Sequence, residues 1–459
     1  MKKYIACICI LLQFSASVIK AQPSADSLIY KLNEYLTSAN AFHKFNGVAL
    51  IAKQGTVLLH KAYGYKDVSK ELPNDTSSLF RICSITKEFT ATAILKLQEE
   101  GKLSVQDKLS KYFPEFKYAN EITLANLLNH TSGIYNYTND IDESDSAIVC
   151  RPVNKQLILD IIFNHPPGFK PGTRFSYSNS GYYLLGLIIA KVTGKSYEQT
   201  VRDIIFTPLQ MTHSLFDFTH SSDTDMVTGY KILTAKENTI ATGWRWDSTV
   251  TYAAGGIWST TGDMYAWAQA IAEKEIISPD SWKLAFTPRL NNYGFGWWID
   301  TSFGKKYIMH SGGLPGFVSY FCYYPGEGVT IILLSNAGNL SDGLTSLNTN
   351  LSAILFSKPY ELVHNQTEMY LPDSVLTKYV GKYDFDKKHH VYITLDNHVL
   401  QMEAPEGGLP KSPLFPADSN HFYLKIIDAK IEFTADASGN VTQLISHYKG
   451  KDESCKKVK

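Results

Sequence analysis

The segment Ser84-Ile-Thr-Lys-Glu-Phe-Thr-Ala-Thr-Ala-Ile-Leu-Lys-Leu-Gln-Glu-Glu100 combines a helical pattern with a pair of reactive side chains. Its apolar residues recur at three- and four-residue spacing and Gly101 follows as a stop signal, so the pattern predicts a helix. Ser84 and Lys87 would project from one face of that helix, with the amine in hydrogen-bond reach of the hydroxyl. A partly desolvated lysine, neutral near pH 7, can take the hydroxyl proton, which makes Ser84 a candidate nucleophile.

The Ser-x-x-Lys spacing is a weak signal when taken alone. It also occurs at Ser17/Lys20, Ser302/Lys305, Ser446/Lys449 and Ser454/Lys457. Ser84 differs from these because it opens a strongly periodic helix, and the dipole at a helix N-terminus favours developing negative charge. Context therefore singles out Ser84.

A second short sequence, Tyr177-Ser-Asn179, supplies groups that acyl chemistry uses. A tyrosine can pass a proton to a leaving group, and an asparagine amide can hold a substrate carbonyl. This pattern is also common, because Tyr118-Ala-Asn120 and Tyr137-Thr-Asn139 share it.

The third element is His310-Ser-Gly312-Gly313, at the start of a predicted strand. Glycines there would let a substrate backbone lie close to the strand edge. The backbone N–H groups of Gly313 and Ser84 would together form a two-donor oxyanion hole.

Two segments rich in strand-forming residues lie far apart in the chain, with helical patterns between them. Val48 to Ala52 and Val57 to His60 flank a turn, and strand character returns from Tyr307 to Asn336. This order predicts an α+β domain whose antiparallel sheet is assembled from both ends of the segment, with helices packed against it and in a mostly helical lobe.

The chain divides into three predicted parts. Residues 1–21 have the basic start, short apolar run and small residues of a secretory signal peptide, and the apolar run is too short to cross a membrane. Residues 22–362 form the α+β domain. Residues 372–450 contain short alternating strands between turn signals and read as a small all-β domain.

Charge and cysteine content exclude several classes of protein. The 459 residues contain 44 basic and 44 acidic side chains, and loss of Lys2, Lys3 and Lys20 with the signal peptide leaves a net charge of −3. No basic face for nucleic acid and no integral membrane segment after cleavage is expected.

The cysteines and histidines do not indicate a disulfide framework or a metal site. Cys83, Cys150, Cys322 and Cys455 are scattered and make no disulfide scaffold. His389, His390 and His398 lack a carboxylate motif and are expected to be solvated, so no metal site is predicted.

The ordered set Ser84-x-x-Lys87, Tyr177-x-Asn179 and His310-x-Gly312 resembles the three active-site motifs of the serine β-lactamase and penicillin-binding protein superfamily. Supporting segments, such as Leu127-Leu-Asn-His-Thr-Ser-Gly133, are also similar to that family. A histidine opening the third motif most resembles the branch related to class C β-lactamases, which includes D-peptidases, esterases and acyltransferases. The residues beyond 372 are similar to the lipocalin-like β-barrels appended to such hydrolases.

The resemblance implies a role for each motif residue and needs no cofactor. Ser84 would be the acylated nucleophile, Lys87 and Tyr177 the general base and acid pair, and Asn179 a substrate-positioning amide. His310 would lie beside the substrate as a donor or electropositive group. Gly312 and Gly313 would also border the substrate. Class C β-lactamases usually have lysine in place of His310, which favours an ester, amide or D-peptide over antibiotic hydrolysis.

Three functions remain open from the sequence. The first is a serine hydrolase, exported to the bacterial periplasm, that cleaves a small-molecule or peptide acyl substrate: an amide, ester, D-peptide or β-lactam. The second is an acyltransferase that passes the acyl group from Ser84 to an alcohol or amine. The third is a penicillin-binding or sensor protein that acylates and stalls. Specificity would depend on loops such as Thr138–Pro152 and Phe216–Trp246, and neither the acyl donor nor the oligomeric state is predicted.

Overall fold

The computed structural model describes residues 25–141, 149–216, 225–232, 240–241, 246–338, 344–362, 370–386, 388–407, 409–424, 429–448 and 451–458. The predicted signal peptide, residues 1–21, lies outside these ranges. Most of the predicted loop between Phe216 and Trp246 does so too.

The described elements are numbered in chain order. The strands are β1 Gly47–Lys53, β2 Thr56–Tyr63, β3 Tyr65–Asp67, β4 Leu72–Pro73, β5 Phe80–Arg81, β6 Leu215–Phe216, β7 Tyr230–Ile232, β8 Ile240–Ala241, β9 Ile257–Ser259, β10 Trp298–Ser302, β11 Lys305–Leu314, β12 Phe317–Tyr324, β13 Val329–Ser335, β14 Gly381–Asp384, β15 His390–Asp396, β16 Val399–Ala404, β17 Leu409–Pro416, β18 His421–Leu424, β19 Ala429–Ala435, β20 Val441–Tyr448 and β21 Lys451–Lys457. The helices are α1 Ala25–Ala41, α2 Thr86–Glu99, α3 Leu124–Leu128, α4 Lys155–Phe163, α5 Asn179–Thr193, α6 Tyr197–Val201, α7 Ser248–Gly255, α8 Thr261–Glu273, α9 Pro279–Ala285, α10 Thr345–Leu355 and α11 Asp373–Leu376.

A six-stranded antiparallel sheet, ordered β10-β11-β12-β13-β1-β2, is the centre of the first domain. Strand β1 pairs with β13 along its whole length, from Gly47 opposite Ser335 to Lys53 opposite Val329. The expected α+β sheet assembled from both ends of the segment is thereby confirmed. Strands β12 and β13 are buried along their whole length, because helices cover both faces of the sheet.

Each face of the sheet has its own hydrophobic core. On one face, Leu36 of α1 and Leu351 of α10 belong to the same buried cluster as Leu333. On the other face, α2 packs between the sheet and the helical lobe, with Phe89 stacked on Trp267 at 4.6 Å between ring centroids. This second core holds α2, which carries Lys87, and the residues Cys83–Ile85 just before α2 contact strands β11 and β12.

Helix boundaries differ from the predicted ones where a cap or a turn intervenes. The helix predicted from Ser84 begins at Thr86, because Cys83–Ile85 form a single 3₁₀ turn before it. Helix α8 begins at Thr261, because the Thr260 hydroxyl accepts the backbone N–H of Asp263 and caps the helix. Gly194 ends α5 in the left-handed conformation, with a φ of 70°.

The C-terminal strands β14 to β21 form a closed antiparallel barrel. The expected small all-β fold is confirmed, but the barrel runs to Lys457, beyond the boundary predicted at residue 450. Strand β21 pairs with both β20 and β14 and closes the barrel. Its sequence, Lys-Asp-Glu-Ser-Cys-Lys-Lys, has no apolar alternation, so pattern reasoning missed it. Side chains such as Ile431, Phe433 and Leu444 fill the interior.

The histidines considered for a metal each contact an aspartate: His389 with Asp386, His390 with Asp384, and His398 with Asp373 of α11. Within the described ranges, no three His, Cys, Asp or Glu side chains are grouped so as to hold a metal ion. Cys83, Cys322 and Cys455 are buried free thiols, and Cys150 is partly exposed. No helix among the described residues has both the length and the apolar character needed to cross a membrane.

Candidate active site

Ser84 lies at the centre of the 3₁₀ turn that leads into α2. Cys83, just before it, has a positive φ of 49°, a strained conformation for a residue with a side chain. The strain is held by neighbours, since the Ser319 hydroxyl donates to the Ile82 carbonyl at 2.7 Å and the Ile82 N–H donates to Ile257. This support leaves Ser84 partly exposed at the mouth of a cleft.

Lys87 is fully buried, and its amine contacts three oxygen atoms. Nζ lies 3.1 Å from Ser84 Oγ, 2.9 Å from Asn179 Oδ1 and 2.7 Å from the Ala254 carbonyl. Burial lowers the pKa of Lys87 well below its ordinary value, which favours the neutral amine. A neutral amine has two N–H groups and one lone pair. The amide and carbonyl oxygens can only accept, so they take the two N–H groups and leave the lone pair for the Ser84 hydroxyl.

Tyr177 lies between Lys87 and a group of aromatic rings. Lys87 Nζ is 4.8 Å from the centroid of the Tyr177 ring, and the His130 ring packs against Tyr177 at 4.2 Å between centroids. Burial raises the pKa of Tyr177, and a hydrogen bond with Ser84 opposes that shift. The phenol is therefore protonated at neutral pH, and its ring can stabilise a positive charge that forms on Lys87.

Asn179 is the first residue of α5 and borders the cleft. Its Oδ1 accepts from Lys87, and its Nδ2 donates to the Thr138 hydroxyl at 3.4 Å. The Asn179 side chain therefore orients the lysine amine, a role that the sequence did not predict. Its contact with Thr138 is long, and Nδ2 stays at the edge of the cleft.

His310 differs from its predicted character as a donor or electropositive group. The side chain is buried in β11, with Nδ1 at 2.6 Å from the Ser311 carbonyl and Nε2 at 3.0 Å from the Tyr293 hydroxyl. A carbonyl only accepts, so Nδ1 carries the proton and Nε2 accepts from Tyr293. Burial lowers the pKa of His310 to about 3, and repulsion from Lys87 when that amine is protonated acts in the same direction. The ring is neutral, and both nitrogens are already bound.

The two glycines after His310 have different surroundings, and the prediction that both border the substrate stays a prediction. A Cβ on Gly312 would lie 2.5 Å from the Ile82 carbonyl oxygen and 2.7 Å from Cys83 Cβ, so the glycine is needed for β11 to pack on the Ser84 turn. A Cβ on Gly313 would meet nothing within 4 Å. Gly313 lines the cleft with Ser84, as the predicted oxyanion pair requires.

The cleft next to Ser84 has a volume of about 190 Å³. Its walls also contain residues outside the three sequence motifs: Tyr137, Thr138, Trp246, Thr251, Leu314 and Pro315. Thr138 and Trp246 come from the two loops expected to set specificity. Tyr137 and Thr138 belong to a second Tyr-x-Asn sequence, which spacing alone could not distinguish from a chance match.

Comparison with known proteins identifies the family to which this chain belongs. The family model described as Beta-lactamase matches residues 32–354. The chain belongs to the beta-lactamase family. A second model, described as a domain of unknown function (DUF3471), matches residues 365–457, which include the barrel.

Relatives extend the match over nearly the whole chain. Penicillin-binding protein 4* of Bacillus subtilis (strain 168) is 30% identical over 427 residues, covering 85% of this chain and 90% of that protein. The solved structure of the octameric penicillin-binding protein homologue from Pyrococcus abyssi has a TM-score of 0.64 at 25% identity, covering 93% of this chain and 100% of its own. D-amino acid amidase from Ochrobactrum anthropi SV3 has a TM-score of 0.58 at 26% identity, covering 68% of this chain and 93% of its own.

His130 is a further residue of the candidate site, and no motif pointed to it. It lies within Leu127-Leu-Asn-His-Thr-Ser-Gly133. His130 is buried, its Nδ1 accepts the Ser178 N–H at 3.2 Å, and its ring contacts those of Tyr177 and Tyr293. The acceptor at Nδ1 places the ring proton on Nε2. His130 thereby anchors the chain between Tyr177 and Asn179, and its only sequence signal was the resemblance of the surrounding segment.

Proposed function

We propose that this protein is an acyl-enzyme hydrolase that cleaves an amide, peptide or related carbonyl substrate through Ser84. The observation that carries the proposal is the environment of Lys87, a buried amine whose two N–H groups are held by Asn179 and Ala254 while its lone pair faces Ser84 Oγ at 3.1 Å. Membership of the serine hydrolase superfamily supports it, as do the relatives named as a penicillin-binding protein and a D-amino acid amidase.

The reaction begins with proton transfer from the Ser84 hydroxyl to Lys87 as Oγ attacks the substrate carbonyl carbon. The resulting oxyanion would be held by the backbone N–H groups of Ser84 and Gly313. The Tyr177 and Tyr182 rings, 4.8 and 5.5 Å from Lys87 Nζ, stabilise the ammonium ion. Protonated Tyr177 is suited to donate to the leaving group. The resulting phenolate then takes a proton from the water that attacks the acyl-enzyme, and Lys87 returns its proton to Ser84 Oγ as the acyl group leaves.

The test is covalent labelling followed by turnover. Incubation with a fluorescent penicillin, a p-nitrophenyl ester and a D-alanyl-D-alanine peptide is expected to give an adduct at Ser84, detected by peptide mass spectrometry, and release of product. Ser84→Ala should abolish both. Ser302→Ala is the matched control, because Ser302 belongs to another Ser-x-x-Lys sequence but lies opposite Lys305 in a strand hairpin. Equal activity in Ser84→Ala and the wild type would overturn the proposal.

We also propose that the enzyme acts outside the cytoplasm, in the periplasm of a bacterial cell. The signal-like residues 1–21 and the penicillin-binding relatives support this. Cell fractionation with N-terminal sequencing should find the mature protein outside the cytoplasm, starting near Gln22. A cytoplasmic protein that retains residues 1–21 would contradict the proposal.

A further inference from the structure

A three-residue segment, Asn136-Tyr137-Thr138, contacts the two helices that hold the amine of Lys87. These helices, α5 and α7, supply the amide oxygen and the carbonyl oxygen to which the amine is bound. Tyr137 makes a buried hydrogen bond to each helix. Its backbone N–H donates to the Ser180 hydroxyl of α5 at 2.9 Å, and its side-chain hydroxyl donates to the Val250 carbonyl of α7 at 2.6 Å. The segment is therefore anchored on both sides of the lysine.

The side chain of Asn136 holds Asn179 at its backbone. Asn136 Oδ1 accepts the Asn179 N–H at 3.0 Å, although the two residues are 43 positions apart in the chain. Asn179 is the first residue of α5, and Ser178, just before it, makes no side-chain capping bond. An N–H in the first turn of a helix has no partner within that helix, so Asn136 supplies the missing acceptor.

The same side chain holds the far end of Asn179 through Thr138. A backbone N–H can only donate, so the atom of Asn136 that faces it is Oδ1, and the amide nitrogen points elsewhere. That nitrogen donates to Thr138 Oγ1 at 2.7 Å. A hydroxyl oxygen can accept two hydrogen bonds, and Thr138 Oγ1 also accepts from Asn179 Nδ2 at 3.4 Å. Asn136 therefore contacts Asn179 directly at the backbone and indirectly at the amide.

The position of the Asn179 amide decides which part of the Lys87 amine faces Ser84. Asn179 Oδ1 and the Ala254 carbonyl take the two N–H groups at 2.9 and 2.7 Å, which leaves the lone pair for Ser84 Oγ. If the amide moves away, the amine loses an acceptor and can turn an N–H toward Ser84. An N–H cannot take the hydroxyl proton, and a displacement of about 1 Å near reacting groups can cost about 10²-fold in rate.

We propose that Asn136 and Thr138 are positioning residues for the acylation of Ser84, a role that rests on the proposed hydrolase function. They act through Asn179 on the amine of Lys87. Two other roles make different predictions. A simple cap on α5 would affect stability and leave the acylation step unchanged. A direct contact between substrate and Thr138, which lines the cleft, would affect binding.

The experiment is single-turnover acylation of the full-length mature enzyme by a fluorescent penicillin, or by a p-nitrophenyl ester if the penicillin does not label Ser84. Varying the probe concentration separates the limiting acylation rate constant from the apparent dissociation constant of the probe. The final amount of label counts the intact sites, and a melting curve measures stability. A structural defect lowers the last two quantities, whereas a positioning defect lowers the limiting rate constant of the sites that remain intact.

Three substitutions and one control are compared with the wild type. Asn136→Ala is expected to lower the limiting rate constant by about ten- to a hundredfold. Thr138→Val removes the hydroxyl and should lower it by about three- to tenfold, and Thr138→Ser, which restores the hydroxyl, should recover most of that loss. Asn139→Ala is the matched control, because Asn139 is an exposed residue of the same 3₁₀ turn and its side chain has only a 3.5 Å contact with Asn136. Its rate constant should stay within about twofold of the wild type.

The outcomes distinguish the positioning role from the proposed function. A wild-type limiting rate constant in Asn136→Ala or in Thr138→Val would overturn the role of that residue, while labelling of Ser84 would still support the hydrolase. A loss confined to the number of labelled sites or to the melting temperature would reduce Asn136 to a helix cap. A loss in Thr138→Val confined to the dissociation constant would make Thr138 a substrate contact and overturn its positioning role. If no probe labels Ser84 in the wild type, the hydrolase proposal fails and the positioning role fails with it.

Discussion

Replacing Gly312 with alanine tests whether strand β11 holds the nucleophile turn in place. The added Cβ would lie 2.4 Å from Ser319 Oγ, 2.5 Å from the Ile82 carbonyl oxygen and 2.7 Å from Cys83 Cβ. None of these atoms can move freely, because Ser319 donates to Ile82 at 2.7 Å and Cys83 is held at a positive φ. The strand and the turn must separate, which is an overpacking defect of about 1–3 kcal/mol in the free energy of unfolding.

The same displacement acts on catalysis through Ser84, which directly follows Cys83. A shift approaching 1 Å at a reacting group can reduce the rate by about 10²-fold. We therefore expect Gly312→Ala to lower the rate of Ser84 acylation by about ten- to a hundredfold, in addition to lowering stability. Urea denaturation followed by circular dichroism measures the first quantity, and single-turnover acylation with a fluorescent penicillin measures the second.

Gly313→Ala is the matched control, one residue further along the same strand. Its Cβ would meet nothing within 4 Å, so the stability should change by less than about 0.5 kcal/mol. A Gly312→Ala variant with the stability and acylation rate of the wild type would refute the role assigned to this glycine. A Gly313→Ala variant as unstable as Gly312→Ala would refute it too, since the effect would then belong to any alanine in the strand.

Three further substitutions test the buried titratable groups. Lys87→Met should lower the acylation rate of Ser84 by about 10²–10⁴-fold, and a loss below tenfold would exclude the lysine as general base. Burial raises the pKa of Glu88 well above 4.5, so the free energy of unfolding falls as the pH rises from 4.5 toward the folded-state pKa. Glu88→Gln can still accept from Trp267 and should be more stable than the wild type at pH 7. An equal melting temperature at pH 7 would contradict this. Burial lowers the pKa of His310 from 6.5 to about 3, so the unfolded state binds the proton first and the free energy of unfolding falls as the pH drops from 6.5 through 3. In His310→Gln the free energy of unfolding should fall less steeply over that pH range. An unchanged acid-unfolding curve would argue against a buried neutral ring.

Local patterns were sufficient for much of the fold. The strand-forming segments at Val48 and after Tyr307, separated by helices, predicted an antiparallel sheet closed by both ends of the segment, and β1 does pair with β13. The stop signal at Gly101 was reliable because a left-handed residue at a helix end is a local requirement, and Gly101 has a φ of 68°. Strand β21 was missed because its pairing with β14 and β20, rather than its own polar sequence, makes it a strand.

The candidate site was predictable as a set of motifs but not as an electrostatic environment. Ser84, Lys87, Tyr177 and Asn179 could be selected because their order resembled a known family. The neutral state of His310 could not, since it depends on burial and on a hydroxyl from Tyr293, seventeen positions earlier in the chain. Trp246 and Thr251 carry no motif, and only the tertiary structure shows that they line the cleft.

The sequence by itself therefore determined the family, much of the order of elements and the choice of a candidate nucleophile, because these depend on residue type and on short-range spacing. Only the tertiary structure decided how those groups behave. It buries Lys87 against Asn179 and Ala254, which lie 92 and 167 positions away along the chain. It also presses Gly312 against the Ser84 turn and opens the cleft toward Trp246. Desolvation, proton position and close packing arise from contacts between distant segments, and no local pattern records them.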